Sequence, residues 1–184
     1  MIDARQRSLC QALSALLSYP DADPAARARA ARDLAEGTPA SGPIARFAAA
    51  AGRLPADALR EIYTSTFDLE PACAPYVGHQ LLGDGPQRGP FLARLVEVYA
   101  SGGYRARDEL PDHLAEVLAF LAVAAPTEER DDLVQDGLLP ALARMLEGFQ
   151  DRENPYRELL VAVQELLRPA RSAARVPAQP EVRR

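Results

Sequence analysis

Glu109-Leu110-Pro111-Asp112-His113-Leu114 is the run of the sequence with the most chemistry packed into the fewest residues. Pro111 stands at the favoured first-turn position of a helix, which predicts a helix start there. Asp112 and His113 would then sit in a first turn whose backbone N–H groups have no intrahelical acceptor. Asp112 can accept from those donors, Glu116 lies one turn further on the same side, and Glu109 stands just before the helix. One reading is a capped helix start. The other is an acidic pocket beside an exposed first-turn histidine, suited to holding guanidinium groups.

The remaining reactive side chains make no recognisable constellation. Cys10, Cys73, His79 and His113 show no paired Cys-x-x-Cys or His-x-x-x-His, so the sequence predicts no metal site. A Cys/His nucleophilic pair lacks any base-orienting partner. Gly83-Asp84-Gly85-Pro86-Gln87-Arg88-Gly89 is glycine-rich but fits neither a dinucleotide fingerprint nor a phosphate loop, and reads as a tight turn into the next helix. The sequence contains no lysine; all 21 basic residues are arginine, which removes Schiff-base chemistry and any Gly-Lys-Ser/Thr phosphate loop.

Charge narrows the partners. The net charge of −5 divides into residues 169–184, with four arginines against one glutamate, and residues 1–168, with 25 acids against 17 arginines. Residues 108–136 hold nine acids (Asp108, Glu109, Asp112, Glu116, Glu128, Glu129, Asp131, Asp132 and Asp136) around a single Arg130. Such a surface repels nucleic acid and attracts a basic protein segment. Solvated helix faces with acids in their first turns are the plainer account of the same residues.

The elements that position these residues read as helices. Ala and Leu supply 60 of the 184 residues, against 17 for Val, Ile and Thr together, which favours an all-α fold. Leu9, Leu13, Leu16 and Leu17 share one helical face that ends at Pro20, and Pro24 opens a helix that closes at Gly37. After a loop at 38–43, stripes follow at Ile44–Ala51, after Pro55, from Phe91 to Tyr99, and after Pro111. Thr127 caps a helix predicted to run through Asp136, and Gly137 and Pro140 mark a break before Leu142–Phe149. Asn154-Pro155 caps the last helix. Residues 68–90, dense in Gly and Pro, read as the longest irregular segment. The sum is one irregular bundle of about seven to nine helices over residues 1–168, followed by an Arg/Pro-rich tail, 169–184, predicted to be disordered. Two cysteines suit a reducing compartment, and no run approaches about 18 apolar residues, so the sequence points to the cytoplasm.

Three segments together resemble the TorD/DmsD/NarJ redox-enzyme maturation chaperones. Tyr63-Thr-Ser-Thr-Phe67-Asp68 is similar to that family's Tyr-x-x-x-Phe segment. Tyr76-Val-Gly-His-Gln-Leu-Leu-Gly83-Asp84 with Arg88-Gly89 is similar to its Gly-Asp…Arg-Gly loop, and Glu109 to Leu114 to its Glu-x-x-Asp-His-Leu signature. Order and spacing agree over about residues 8–168. The segment between Phe67 and Gly83 departs from the form of the nitrate-reductase branch, which leaves the client enzyme unassigned.

The resemblance implies a non-catalytic cytoplasmic chaperone, monomeric or weakly dimeric. Such a protein binds the N-terminal or twin-arginine segment of an apo molybdoenzyme subunit until that client receives its molybdopterin guanine dinucleotide. It holds no cofactor stably itself. On this reading Glu109, Asp112 and Glu116, beside His113, meet client arginines, and Tyr63, Phe67 and Asp68 line an apolar client groove. Gly83, Asp84, Arg88 and Gly89 anchor the loop or meet the cofactor's phosphates. The alternatives are a generic helical adaptor or regulator, and a small nucleotide-hydrolysing helical enzyme.

Overall fold

The computed structural model describes residues 3–20 and 23–168, and the predicted tail from Pro169 lies outside them. Ten α-helical segments follow one another: α1 (Ala4–Leu16), α2 (Pro24–Ala35), α3 (Ser41–Ala51), α4 (Ala56–Tyr63), α5 (Val77–Leu82), α6 (Arg88–Ser101), α7 (Leu114–Val123), α8 (Glu128–Asp132), α9 (Leu139–Gly148) and α10 (Pro155–Leu167). A π-helical turn, Leu133–Leu138, joins α8 to α9 as one rod, so the described residues form nine helices. The fold is all-α and no strand occurs among the described residues. No described helix is long and apolar enough to cross a membrane.

The helix ends follow from their sequences. Asp3 and Gln6 form a reciprocal capping box on α1, Asp23 caps α2, Thr127 caps α8 and Asn154 caps α10. Arg5 on α1 donates to the carbonyls of Leu34 and Glu36, which have no acceptor role left inside α2.

α7 is apolar nearly all round (Leu-Ala-Glu-Val-Leu-Ala-Phe-Leu-Ala-Val) and therefore lies at the centre, packed chiefly on α1. Leu9, Leu13, Leu16 and Leu17 of α1 and Leu114, Val117, Leu118 and Leu121 of α7 are all buried. α2, α3 and α10 close the core on the other side of α1.

Three sequence expectations change. The helix at Pro111 begins three residues later, at Leu114, because the backbone on either side of His113 is already committed. Val77 N–H donates to the Asp112 carbonyl at 2.8 Å and Leu114 N–H to the Pro75 carbonyl at 2.7 Å, an isolated antiparallel bridge between Tyr76 and His113. The segment 68–90 contains a 3-10 turn at Pro71–Cys73 and the whole of α5, which is too short for its periodicity to show. The helix expected through Asp136 stops being α-helical at Asp132 and widens into the π turn.

Arg130 is the one fully buried charged arginine among the described residues. Its Nε, Nη1 and Nη2 find no hydrogen-bond acceptor, and the nearest carboxylate, Asp131, stands at 3.9 Å. Loss of hydration holds its pKa below the ordinary value, with Asp131 opposing that shift. A buried charge lacking acceptors costs more than an apolar side chain of similar length. Arg130→Met is therefore expected to raise the thermal midpoint, by about 1 kcal/mol or more of stability. A lower midpoint would show that the guanidinium has an acceptor in solution.

Candidate functional site

Asp112 has no exposed surface, and its carboxylate is fully used. Oδ2 accepts from the Gly78 N–H at 3.1 Å and from Arg88 Nε at 3.1 Å, while Oδ1 accepts from Arg88 Nη2 at 3.3 Å. Arg88 in turn reaches Asp84 through Nη1 at 3.4 Å and lies over the Tyr76 ring, 5.3 Å from its centroid. Gly78 is required here. A Cβ at that position would stand 2.8 Å from Asp112 Oδ2 and 2.8 Å from the Phe91 ring. One ion pair thus ties α5, the first turn of α6 and the start of α7 together.

The tie positions what surrounds it. Tyr76 Oη donates to Glu109 Oε2 at 3.2 Å, and burial followed by the Glu109 charge pushes the phenol up to about 12, so it stays a donor at neutral pH. The His113 ring packs edge-on against Tyr76 and caps α7, with Nδ1 accepting from the Ala115 N–H at 3.2 Å. Glu116 is nearly buried. It accepts from Tyr104 Oη at 2.5 Å and from the Asp108 N–H at 3.3 Å, which pins the 103–110 loop to α7. His79 Nδ1 meets Asp84 at 2.9 Å, and that bond, ahead of the histidine and Arg88 charges, lowers the Asp84 pKa.

Beside this assembly lies an open groove of about 520 Å³. Gln11 and Ser14 of α1, with Ser18 just past its end, form one wall, and Ala115, Glu116, Ala119 and Val123 of α7 the other. The 104–109 loop closes one side with Asp108, Glu109 and Arg107. Tyr19 and Val123, each more than half exposed, supply apolar surface. Ser14 Oγ donates to the Ala115 carbonyl at 2.8 Å and sets the α1–α7 crossing at the groove floor.

Against the sequence reading, the candidate residues separate into groups. Glu109 and Asp108 are exposed at the groove, whereas Asp112 is internal and spent on Arg88. His113 is buried rather than exposed. Tyr63 and Phe67 do not line an open groove: they are 4% and 2% exposed, in an aromatic cluster with Tyr156. Tyr63 also donates to the Leu17 carbonyl at 3.2 Å. Asp68 is exposed beside them. Gly83 carries a positive φ of 66° at the end of α5, and Gly89 is exposed in the first turn of α6. Arg88 has its guanidinium engaged by Asp112, Asp84 and the Tyr76 ring.

The acidic run at 108–136 also divides. Asp108, Glu109 and Glu116 belong to the groove, while Glu129 and Asp132 rim a separate apolar hollow of about 200 Å³ between α6 and α8, lined by Phe91, Leu95, Val98 and Leu133. The α1 wall went unread in the sequence. Gln11, Ser14 and Ser18 recur at helical spacing beside the leucine stripe, and that polar stripe was the available signal. Among the described residues, no group of three or more His, Cys, Asp or Glu is placed to hold a metal ion.

Two outcomes follow from this geometry. Asp112→Ala strips Arg88 and the Gly78 N–H of their acceptor and should lower stability by on the order of 3 kcal/mol in a denaturant titration. A loss near zero would mean that the pair is not formed. His113 has its pKa lowered from 6.5, mainly by burial, with Glu109, Glu116, Asp112 and Asp68 opposing. A folded-state pKa below the unfolded value contributes stability at higher pH that is lost as pH falls. The thermal midpoint should therefore drop on acidification below about 6.5, and His113→Asn, which keeps a capping acceptor, should flatten that drop. Equal slopes in the two proteins would exclude His113 as the cause.

No curated protein matches the chain in sequence. The solved structure of a candidate redox enzyme maturation protein from Archaeoglobus fulgidus is similar, with a TM-score of 0.60 and 25% sequence identity, covering 88% of this chain and 93% of that one. The family model described as the nitrate reductase delta subunit matches residues 20–162, which include α2 to α9 and the complete Asp112 assembly. The chain belongs to the nitrate reductase delta subunit family.

Proposed function

We propose that the chain is a maturation chaperone for a redox enzyme, and that its α1–α7 groove receives the basic N-terminal segment of an apo molybdoenzyme subunit. The observation that carries the reading is the groove itself: about 520 Å³, open, partly apolar at Tyr19 and Val123, with Glu109 braced at its edge by Tyr76. A helical segment with an apolar face and one or two arginines fits such a surface. Family membership and the likeness to a maturation protein support it.

The chain holds the segment without turnover, in the cytoplasm, until the client has received its molybdopterin guanine dinucleotide. Burial pushes the Cys10 thiol up to about 12 and Cys73 to about 11, so neither offers a thiolate nucleophile at neutral pH. The cofactor travels with the client, and Arg88 acts through Asp112 rather than on phosphate.

The test is titration of a synthetic peptide with two adjacent arginines followed by an apolar helical stretch, the chemistry of the proposed client segment. Glu109→Gln with Asp108→Asn should weaken it roughly 5- to 30-fold at low ionic strength, since each exposed ion pair contributes about 0.5–1 kcal/mol. The difference should shrink in salt. Unchanged affinity in a protein with an unaltered melt would remove the groove from client binding.

A further inference from the structure

We propose that residues 169–184 of the same chain occupy the α1–α7 groove when no client is present, their arginines facing Glu109 and Asp108. A client segment must then displace them. The inference rests on the groove being the client site, and it concerns how that site is regulated.

Three observations lead to it. The first is charge. The segment carries Arg171, Arg175, Arg183 and Arg184 against Glu181, whereas residues 1–168 carry 25 acids against 17 arginines. Opposite charge of this kind selects which surface a tethered segment visits.

The second is where the segment leaves the fold. α10 ends at Leu167, and the Leu166 carbonyl accepts from Gln6 Nε2 at 3.1 Å, so the segment departs beside the first turn of α1. Gln11 and Ser14, on the next turns of that helix, and Ser18 just past its end are a wall of the groove. At a rise of about 1.5 Å per residue, Gln11 and Ser14 stand about 8 and 12 Å from Gln6 along the axis.

The third is reach. In an extended chain a residue advances about 3.1 Å. Arg175 can then stand up to about 25 Å and Arg183 about 50 Å from the end of α10 at Leu167, enough to pass round α1 from the α10 side and arrive at the groove. Exposed ion pairs are individually weak and salt-sensitive. Tethering supplies an effective concentration in the millimolar range, enough for a weak contact to be substantially occupied and still give way to a tighter ligand.

The test uses the full chain and a full-length variant with Arg171→Gln, Arg175→Gln, Arg183→Gln and Arg184→Gln. Backbone amide spectra of the two should differ at Ser18, Tyr104, Asp108, Glu109 and Ala119, with the differences vanishing at about 0.5 M salt. A synthetic peptide copying residues 169–184 should bind the variant roughly 3- to 10-fold more tightly than the unaltered chain, whose groove is already filled. The basic client peptide should show the same ordering. Spectra that coincide at the groove, together with equal peptide affinities, would overturn the proposal. If that happens while Glu109→Gln still weakens the client peptide, the client site stands and only its regulation falls. If the tail-dependent differences appear but the client peptide ignores Glu109→Gln, the intramolecular contact stands and the client site must be sought elsewhere.

Discussion

A carboxylate without exposure has to be matched donor for acceptor, and the Asp112 assembly is the local consequence of that requirement. The acceptor atoms of Asp112 draw in the Gly78 N–H and the Arg88 guanidinium, from segments 34 and 24 residues away in sequence. Gly78 must lack a Cβ for this approach, and Tyr76 must present its ring to Arg88. The main chain around Asp112 and His113 pairs with Pro75 and Val77, which delays the start of α7 to Leu114. Tyr76, placed by the same pairing, holds Glu109 at the edge of the groove. The residue that looks most acidic in the sequence motif therefore supports the surface from within and leaves Glu109 to present the charge.

What the sequence made legible was governed by local physics. The leucine stripes of α1 and α10, the apolar run of α7 and the caps at Thr127 and Asn154 depend on near neighbours, and all of them read correctly. The start of α7 did not, because the donors and acceptors that hold it back come from Pro75 and Val77, far away in the chain. Tyr63 and Phe67 were read as groove residues, since an aromatic pair at i and i+4 looks the same whether it faces Tyr156 or solvent. The acidic run between 108 and 136 suggested one surface, and folding distributes it between the α1–α7 groove and the α6–α8 hollow. The α1 wall of the groove escaped notice because its polar residues gain meaning only when α7 and the 104–109 loop stand opposite.

The division of labour has a functional logic. Groups that must not move, Asp112, His113 and Glu116, are buried and hydrogen-bonded at the N-terminal end of α7, the central helix of the core. Two of the groups proposed to meet a partner, Glu109 and Asp108, lie on a loop fastened to it by Tyr76 and Tyr104, while the third, Tyr19, packs edge-on against Tyr63. On the proposed function, a charged edge over a fixed floor would let the chain receive a class of basic segments rather than one rigid epitope.

The account stands most directly on where a client touches. Backbone amide shifts during titration with a peptide of two adjacent arginines and an apolar helical stretch locate that contact without altering the protein. The account predicts that the largest shifts fall on Gln11, Ser18, Tyr104, Asp108, Glu109 and Val123, on both walls of the groove and its loop. Shifts centred on Phe91, Leu95 and Leu133, with the α1–α7 groove unmoved, would place the client in the α6–α8 hollow and contradict it.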